Sequence, residues 1–170
     1  SLSVESTLFY SRALWAKQDA KKAFAEINKT LNVLEKLSIK QQPALFDLYF
    51  VKGKINEEAA AYDEAVKDFD KAVANFNTHK ENKTLNGKNF DVAKVEWSKA
   101  WMLYKNSTPE KAAAALKNIV DTSSDVSEKS RARFFLARCY KKMSKEAEAQ
   151  SLLTENTQED FYSFYSLASY

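Results

Sequence analysis

The chain has 170 residues, 45% hydrophobic and 29% charged, which is enough for one cored domain and too few for a helical array plus a separate catalytic domain. Two glycines and two prolines leave hairpins without their turn residues and point to an all-α fold of helices joined by short polar turns. The formal charge of +3 is small and acidic and basic residues alternate, so nucleic acid is not the expected partner.

No apolar run approaches the ~20 residues of a transmembrane helix, and no basic-then-apolar signal opens the chain. The missing initiator Met points to a processed or trimmed product. The expectation is a single domain over 1–170 built from helix-turn-helix units. The first covers about 4–37, with Ser11 as a small residue in its first helix, Gln18-Asp19 at the turn and Ala23 in its second helix. The second covers about 45–77 and is clearest over Leu48–Asn77. It places Tyr49, Gly53, Tyr62, Ala65, Phe69 and Ala72 as aromatic, small, aromatic, Ala, aromatic, Ala.

The segment from Thr78 to Asp91 has little periodicity and reads as the longest loop. A third unit covers about 92–120, with Ala100 and Ala112 in the small-residue roles and Thr108-Pro109 reading as an N-cap and first helical position. Asp121 to Asp125 is a short connection. A fourth unit covers about 127–154, with Ala137, Tyr140 and Ala149 in register and Lys142 to Lys145 at the turn. A final helix is expected over 157–170, with Thr157 and Asp160 approximating a capping box.

This pattern resembles the tetratricopeptide repeat, in which small residues let paired helices cross closely while an aromatic ring fills the groove beside them. The resemblance implies an α-solenoid. Its alanines Ala23, Ala65, Ala112 and Ala149 stand 42, 47 and 37 residues apart, all beyond the ~34-residue period. Elongated helices or extra turns, and an irregular right-handed superhelix, are therefore expected.

The stretch from Arg131 to Tyr170 is the most specific. An Arg-Ala-Arg-Phe-Phe-Leu-Ala-Arg-Cys-Tyr helix is followed by Glu146-Ala147-Glu148-Ala149 and then by Asp160-Phe161-Tyr162-Ser163-Phe164-Tyr165-Ser166-Leu167-Ala168. That order is similar to the last helices of the superhelical, non-catalytic domain of soluble lytic transglycosylases. The resemblance implies a bacterial cell-envelope protein, a periplasmic location and a peptidoglycan glycan or protein segment as ligand. The family's Gly-Leu-Met-Gln-like motif cannot be assembled from Gly53 and Gly87, and the one Glu-Ser pair, Glu5-Ser6, has no context. Either the chain is a binding module without its own active site, or it is a fragment of an enzyme whose catalytic domain lies beyond Tyr170. A generic tetratricopeptide adaptor for protein–protein interaction is a further alternative.

No catalytic residue, cofactor or metal is expected. The sole histidine, His79, has no orienting acid that spacing can assign. Glu57-Glu58 read as a solvated helix face, and Glu159-Asp160 as a helix start. Cys139 is alone and reads as a packing residue. The residues that invite a binding role are aromatic and basic. Lys94, Trp97, Trp101 and Tyr104 fall on one face of the third unit's first helix. Phe50 and Lys54 extend that strip on one side, and Phe134, Arg138 and Lys141 on the other. Such a stripe either lines a concave groove or packs against the next unit. In the last segment Phe161, Tyr162, Phe164, Tyr165, Leu167 and Tyr170 surround one helix with apolar groups, so self-association through it is expected.

Overall fold

A computed structural model describes residues 4–36, 44–81, 92–159 and 164–169. The described residues form nine helices: α1 (Val4–Ala16), α2 (Ala20–Lys36), α3 (Ala44–Glu58), α4 (Tyr62–Glu81), α5 (Val92–Lys105), α6 (Pro109–Thr122), α7 (Val126–Lys142), α8 (Glu146–Glu159) and α9 (Phe164–Leu167). They contain no strand. The chain divides into two compact units, Ser1–Val95 and Glu96–Tyr170, with the boundary inside α5.

Four hairpins share one turn. Each pairing of a first helix with a second passes through a single left-handed residue: Gln18 (φ 63°), Ala60 (φ 57°), Ser107 (φ 56°) and Ser144 (φ 58°). In the first turn the Asp19 amide donates to the Leu14 carbonyl at 3.0 Å and the Gln18 amide to Trp15 at 2.8 Å. The same two bonds recur as Ala61 to Asn56 with Ala60 to Glu57, as Thr108 to Leu103 with Ser107 to Tyr104, and as Lys145 to Tyr140 with Ser144 to Lys141. This is the Schellman closure, which satisfies the last carbonyls of each first helix.

The packing residues keep constant register to that turn. Seven residues before the left-handed position stand Ser11, Gly53, Ala100 and Ala137, and five after it stand Ala23, Ala65, Ala112 and Ala149, all buried. Nine after it, Ile27, Phe69, Leu116 and Leu153 fill the groove. The fit is tight at Gly53, where an added Cβ would lie 2.5 Å from Cε1 of Phe69. The variable spacing of the alanines therefore arises outside the hairpin turn, in helix length and in the links between hairpins.

The first unit's core joins Leu8, Ile27, Leu48 and Val51. Beside it, Asp68 is buried, accepts from Asn56 Nδ2 at 2.8 Å and lies 3.3 Å from Lys52 Nζ. Burial raises its pKa, against the opposing pull of Lys52.

Three boundaries differ from the sequence reading. The helix α4 continues through Glu81, because Thr78 and His79 are weak formers and not breakers and Lys80 favours helix; the rest of the expected long loop, 82–91, lies outside the described residues. Thr157 caps no helix start: α8 runs on to Glu159, and the Thr157 hydroxyl donates to the Thr154 carbonyl at 2.8 Å. The described part of the last segment is only the short α9, while Asp160, Phe161, Tyr162 and Tyr170 lie outside the described residues. Thr108 does precede α6 with Pro109 first in the helix, yet its hydroxyl donates back to Leu103 O at 3.1 Å instead of capping.

Candidate binding face

In the second unit the first helices of successive hairpins, α5 and α7, together with α9, bring their aromatic side chains onto one face. Trp97, Trp101 and Tyr104 stack along α5, with centroids 6.4 and 5.5 Å apart and planes within 14° and 12° of parallel. Phe135 of α7 stands edge-on to all three, at 5.9, 5.1 and 5.3 Å. Phe134 and Tyr165 of α9 complete the cluster, each ring about 6 Å from Phe135 or nearer. These geometries are the offset and edge-to-face arrangements that ring quadrupoles favour. All six rings are half-buried, so the stripe is neither solvent-borne nor core. Core packing falls to the opposite sides of the same helices, at Ala100, Met102, Leu136 and Cys139. Burial pushes the Cys139 thiol up to about 11, which suits an inert packing residue.

Cations edge this cluster. The Arg131 guanidinium lies 3.6 Å over the Trp97 ring, Lys142 Nζ is 4.8 Å from the Tyr104 centroid, and Arg138 sits about 6 Å from Tyr104, Phe134 and Phe135. Such contacts hold a cation without neutralising it. Lys141 is exposed on the same helix.

The sequence reading missed Phe135, the ring that touches the most others; its only signal was adjacency to Phe134. Arg131, Lys142 and Tyr165 were also not assigned to the face. The remaining predicted residues belong to the first unit, where Phe50 is half-buried with its ring 6.0 Å from the core ring of Phe69 and Lys94 Nζ 5.8 Å over it. Lys54 is ion-paired with Glu57.

Two residues of the acidic pairs, both exposed, make contacts to other helices. Glu58 accepts from the Trp15 indole at 2.9 Å. Glu159 is the last residue of α8 instead of starting a helix, and at that end its charge opposes the dipole. It is held there by the buried Arg133 at 2.7 Å, a bond that lowers its pKa. Glu5 and Ser6 are exposed on α1. His79 lies in the last turn of α4. Among the described residues no helix is long and apolar enough to cross a membrane, and no cluster of candidate metal ligands occurs.

No family model matches the chain, and no curated protein matches it. Solved structures do. The nearly identical TPR-like repeats of a Podosopora anserina protein classed as a kinesin light chain superpose with a TM-score of 0.67 at 19% identity, covering 91% of this chain and 74% of that one. BtubC (BKLC) from P. vanneervenii gives 0.68 at 11% identity over 91% of this chain and 62% of that one. YrrB, described as a TPR protein with an unusual peptide-binding site, gives 0.66 at 18% identity over 99% and 76%. The chain has the TPR-like repeat fold. None of these three is a lytic transglycosylase, so the C-terminal resemblance gains nothing from them.

Proposed function

We propose that the chain is a non-catalytic, TPR-like adaptor that binds a segment of another protein on the aromatic face of its second unit. The observation that carries this is the half-buried stack of Trp97, Trp101 and Tyr104, flanked by Phe135 and rimmed by cations. Large rings at intermediate burial supply contact area at low entropic cost, and Trp, Tyr and Arg are the residues that dominate binding energy. The peptide-binding site of YrrB on the same fold supports it.

The test is a panel of labelled extended peptides of varied composition titrated against the intact chain and its Trp101→Ala variant. Binding should weaken at least about tenfold in a variant that keeps its helical signal. Peptides that bind both proteins equally, and a Phe135→Ala variant equally too, would remove the face from the mechanism.

The resemblance of Arg131 to Tyr170 to transglycosylase superhelical domains supports a different ligand, a peptidoglycan glycan in the periplasm. Glycan strands retained by the chain and released by Trp101→Ala would favour it, as would a Glu-Ser and Gly-x-Met-Gln pair encoded after Tyr170. Self-association has its own support in α9, where Phe164 and Leu167 are 73% and 56% exposed. A sedimentation coefficient that rises with concentration in the parent chain and not in Phe164→Ser would establish it.

A further inference from the structure

The second unit separates its charges by helix. On α7 six basic residues accompany a single acid, Glu128, whereas α8 carries four glutamates and no Lys or Arg. Of the six, Arg133 is buried and satisfied by Glu159. Arg131, Arg138 and Lys142 lie on the aromatic face, with Lys141 beside them, and none of these four pairs with a carboxylate among the described residues. Nε of Arg131 is buried with no hydrogen-bond partner.

At one register of the first helices the first unit treats its cations differently, although Lys71 there also lies over a ring, that of Tyr49. Six residues before the left-handed turn residue, Arg12 pairs with Asp47 at 3.1 Å and Lys54 pairs with Glu57; at the same register in α7, Arg138 has rings but no acid. Three cations held by ring contacts, Arg131, Arg138 and Lys142, with the exposed Lys141 beside them and no carboxylate among the described residues to neutralise them, leave the anion to a ligand.

We infer that the occupant of this face is an acidic peptide segment that also carries apolar side chains, its carboxylates meeting Arg138, Lys141 and Lys142 and its apolar groups lying on Trp101 and Phe135. The inference rests on the peptide-binding reading above and names its partner's chemistry. Single-stranded nucleic acid, the other ligand of basic and aromatic surfaces, is disfavoured because it needs free ring faces. Here the indoles and Tyr104 stack on one another, and Arg131 covers Trp97.

The experiment titrates three labelled probes into the intact chain by fluorescence anisotropy: a peptide alternating Glu and Leu, the same peptide with Gln for Glu, and an oligouridylate. Phosphatidylserine vesicles are tested by co-flotation. The Glu peptide should bind at least about tenfold more tightly than the Gln peptide, and its affinity should fall as salt rises. Arg138→Glu should cost at least about tenfold, while Lys111→Glu, the same charge change on α6, should stay within about twofold. Melting curves confirm that both variants fold. Equal binding of the Glu and Gln peptides, equal losses in the two variants, or tighter binding of the oligonucleotide or vesicles would each overturn the inference. A neutral or basic peptide from the panel whose binding depends on Trp101 would overturn it while leaving the peptide-binding reading intact; no peptide binding at all would end both.

Discussion

Six residues before the left-handed turn residue, the first unit carries Arg12 and Lys54, each tied to a carboxylate, while the second carries Trp101, stacked between two rings, and Arg138, which has no acid. Ten residues before it stand Leu8, Phe50, Trp97 and Phe134: Leu8 is buried in the first unit's core, and Phe50 is engaged with the core ring of Phe69. Trp97 and Phe134 belong instead to the half-buried cluster. The hairpin turn and its small residues are the same throughout. What differs is the chemistry at these two positions of the first helices, tied to carboxylates and core residues in one unit and to a ring cluster with an acid-free cation in the other. A repeat fold permits this because its packing positions and its face positions are different residues.

That separation predicts where deletions hurt. Phe69, fully buried under Gly53, should cost about 3–5 kcal/mol when changed to Ala, read as a shift in urea midpoint. An effect below about 1 kcal/mol would mean that the groove does not depend on its ring. Next in size is Lys52→Met. Lys52 is the cation beside Asp68, and both are largely buried, so its removal strands a carboxylate and should cost about 2–4 kcal/mol at neutral pH. The sign with pH follows from Asp68. Its folded pKa is raised, so protonation favours the folded state, and the stability linked to its proton is present below the unfolded pKa and lost as pH rises through the folded one. The penalty of Lys52→Met should therefore shrink as pH falls through the folded pKa of Asp68. A penalty independent of pH would show that the pair contributes by packing alone.

The scaffold was largely legible in the sequence because its determinants are steric and local. Ser11, Gly53, Ala100, Ala137 and the four alanines are small residues at fixed spacing, and the close crossing needs them small. The turns were placed for the same reason. Their left-handed residues were not foreseen, since Gln18, Ala60, Ser107 and Ser144 carry no glycine signal. On the face, helical periodicity found Trp97, Trp101 and Tyr104, but it could not find Phe135, whose place is set by how α7 packs beside α5. It also could not separate Phe50, which meets the core, from Trp101, which does not. The helix start expected at Thr157 failed because capping-box residues occur inside helices as well, and α8 is held to its end by Arg133 from another helix.

A smaller effect tests the same division on the face. Trp101→Ala removes a half-buried ring, so it should cost about 1–2 kcal/mol, well below Phe69→Ala, while weakening ligand binding. A loss equal to that of Phe69→Ala, measured by the same urea titration, would place the stack in the core and leave the face without a separate role.

The smallest effect probes what the two units share. An L-residue at φ near 57° crowds its Cβ against the following carbonyl, at a cost of about 1–2 kcal/mol that glycine avoids. Glycine loses more conformational freedom on folding, which returns about 0.4–1 kcal/mol. The balance favours Ala60→Gly and Ser144→Gly by up to about 1 kcal/mol each, one in each unit. Both residues are exposed, and the turn bonds run from their backbone amides to Glu57 and Lys141, so the substitution removes no contact that the turn requires. Similar rises in thermal midpoint from the two variants, roughly additive in the double variant, are expected if the Schellman turn is an independent module of the repeat. A gain at Ala60 with a loss at Ser144 would instead show that the serine hydroxyl supports its turn, and that the hairpins of the two units are alike in backbone only.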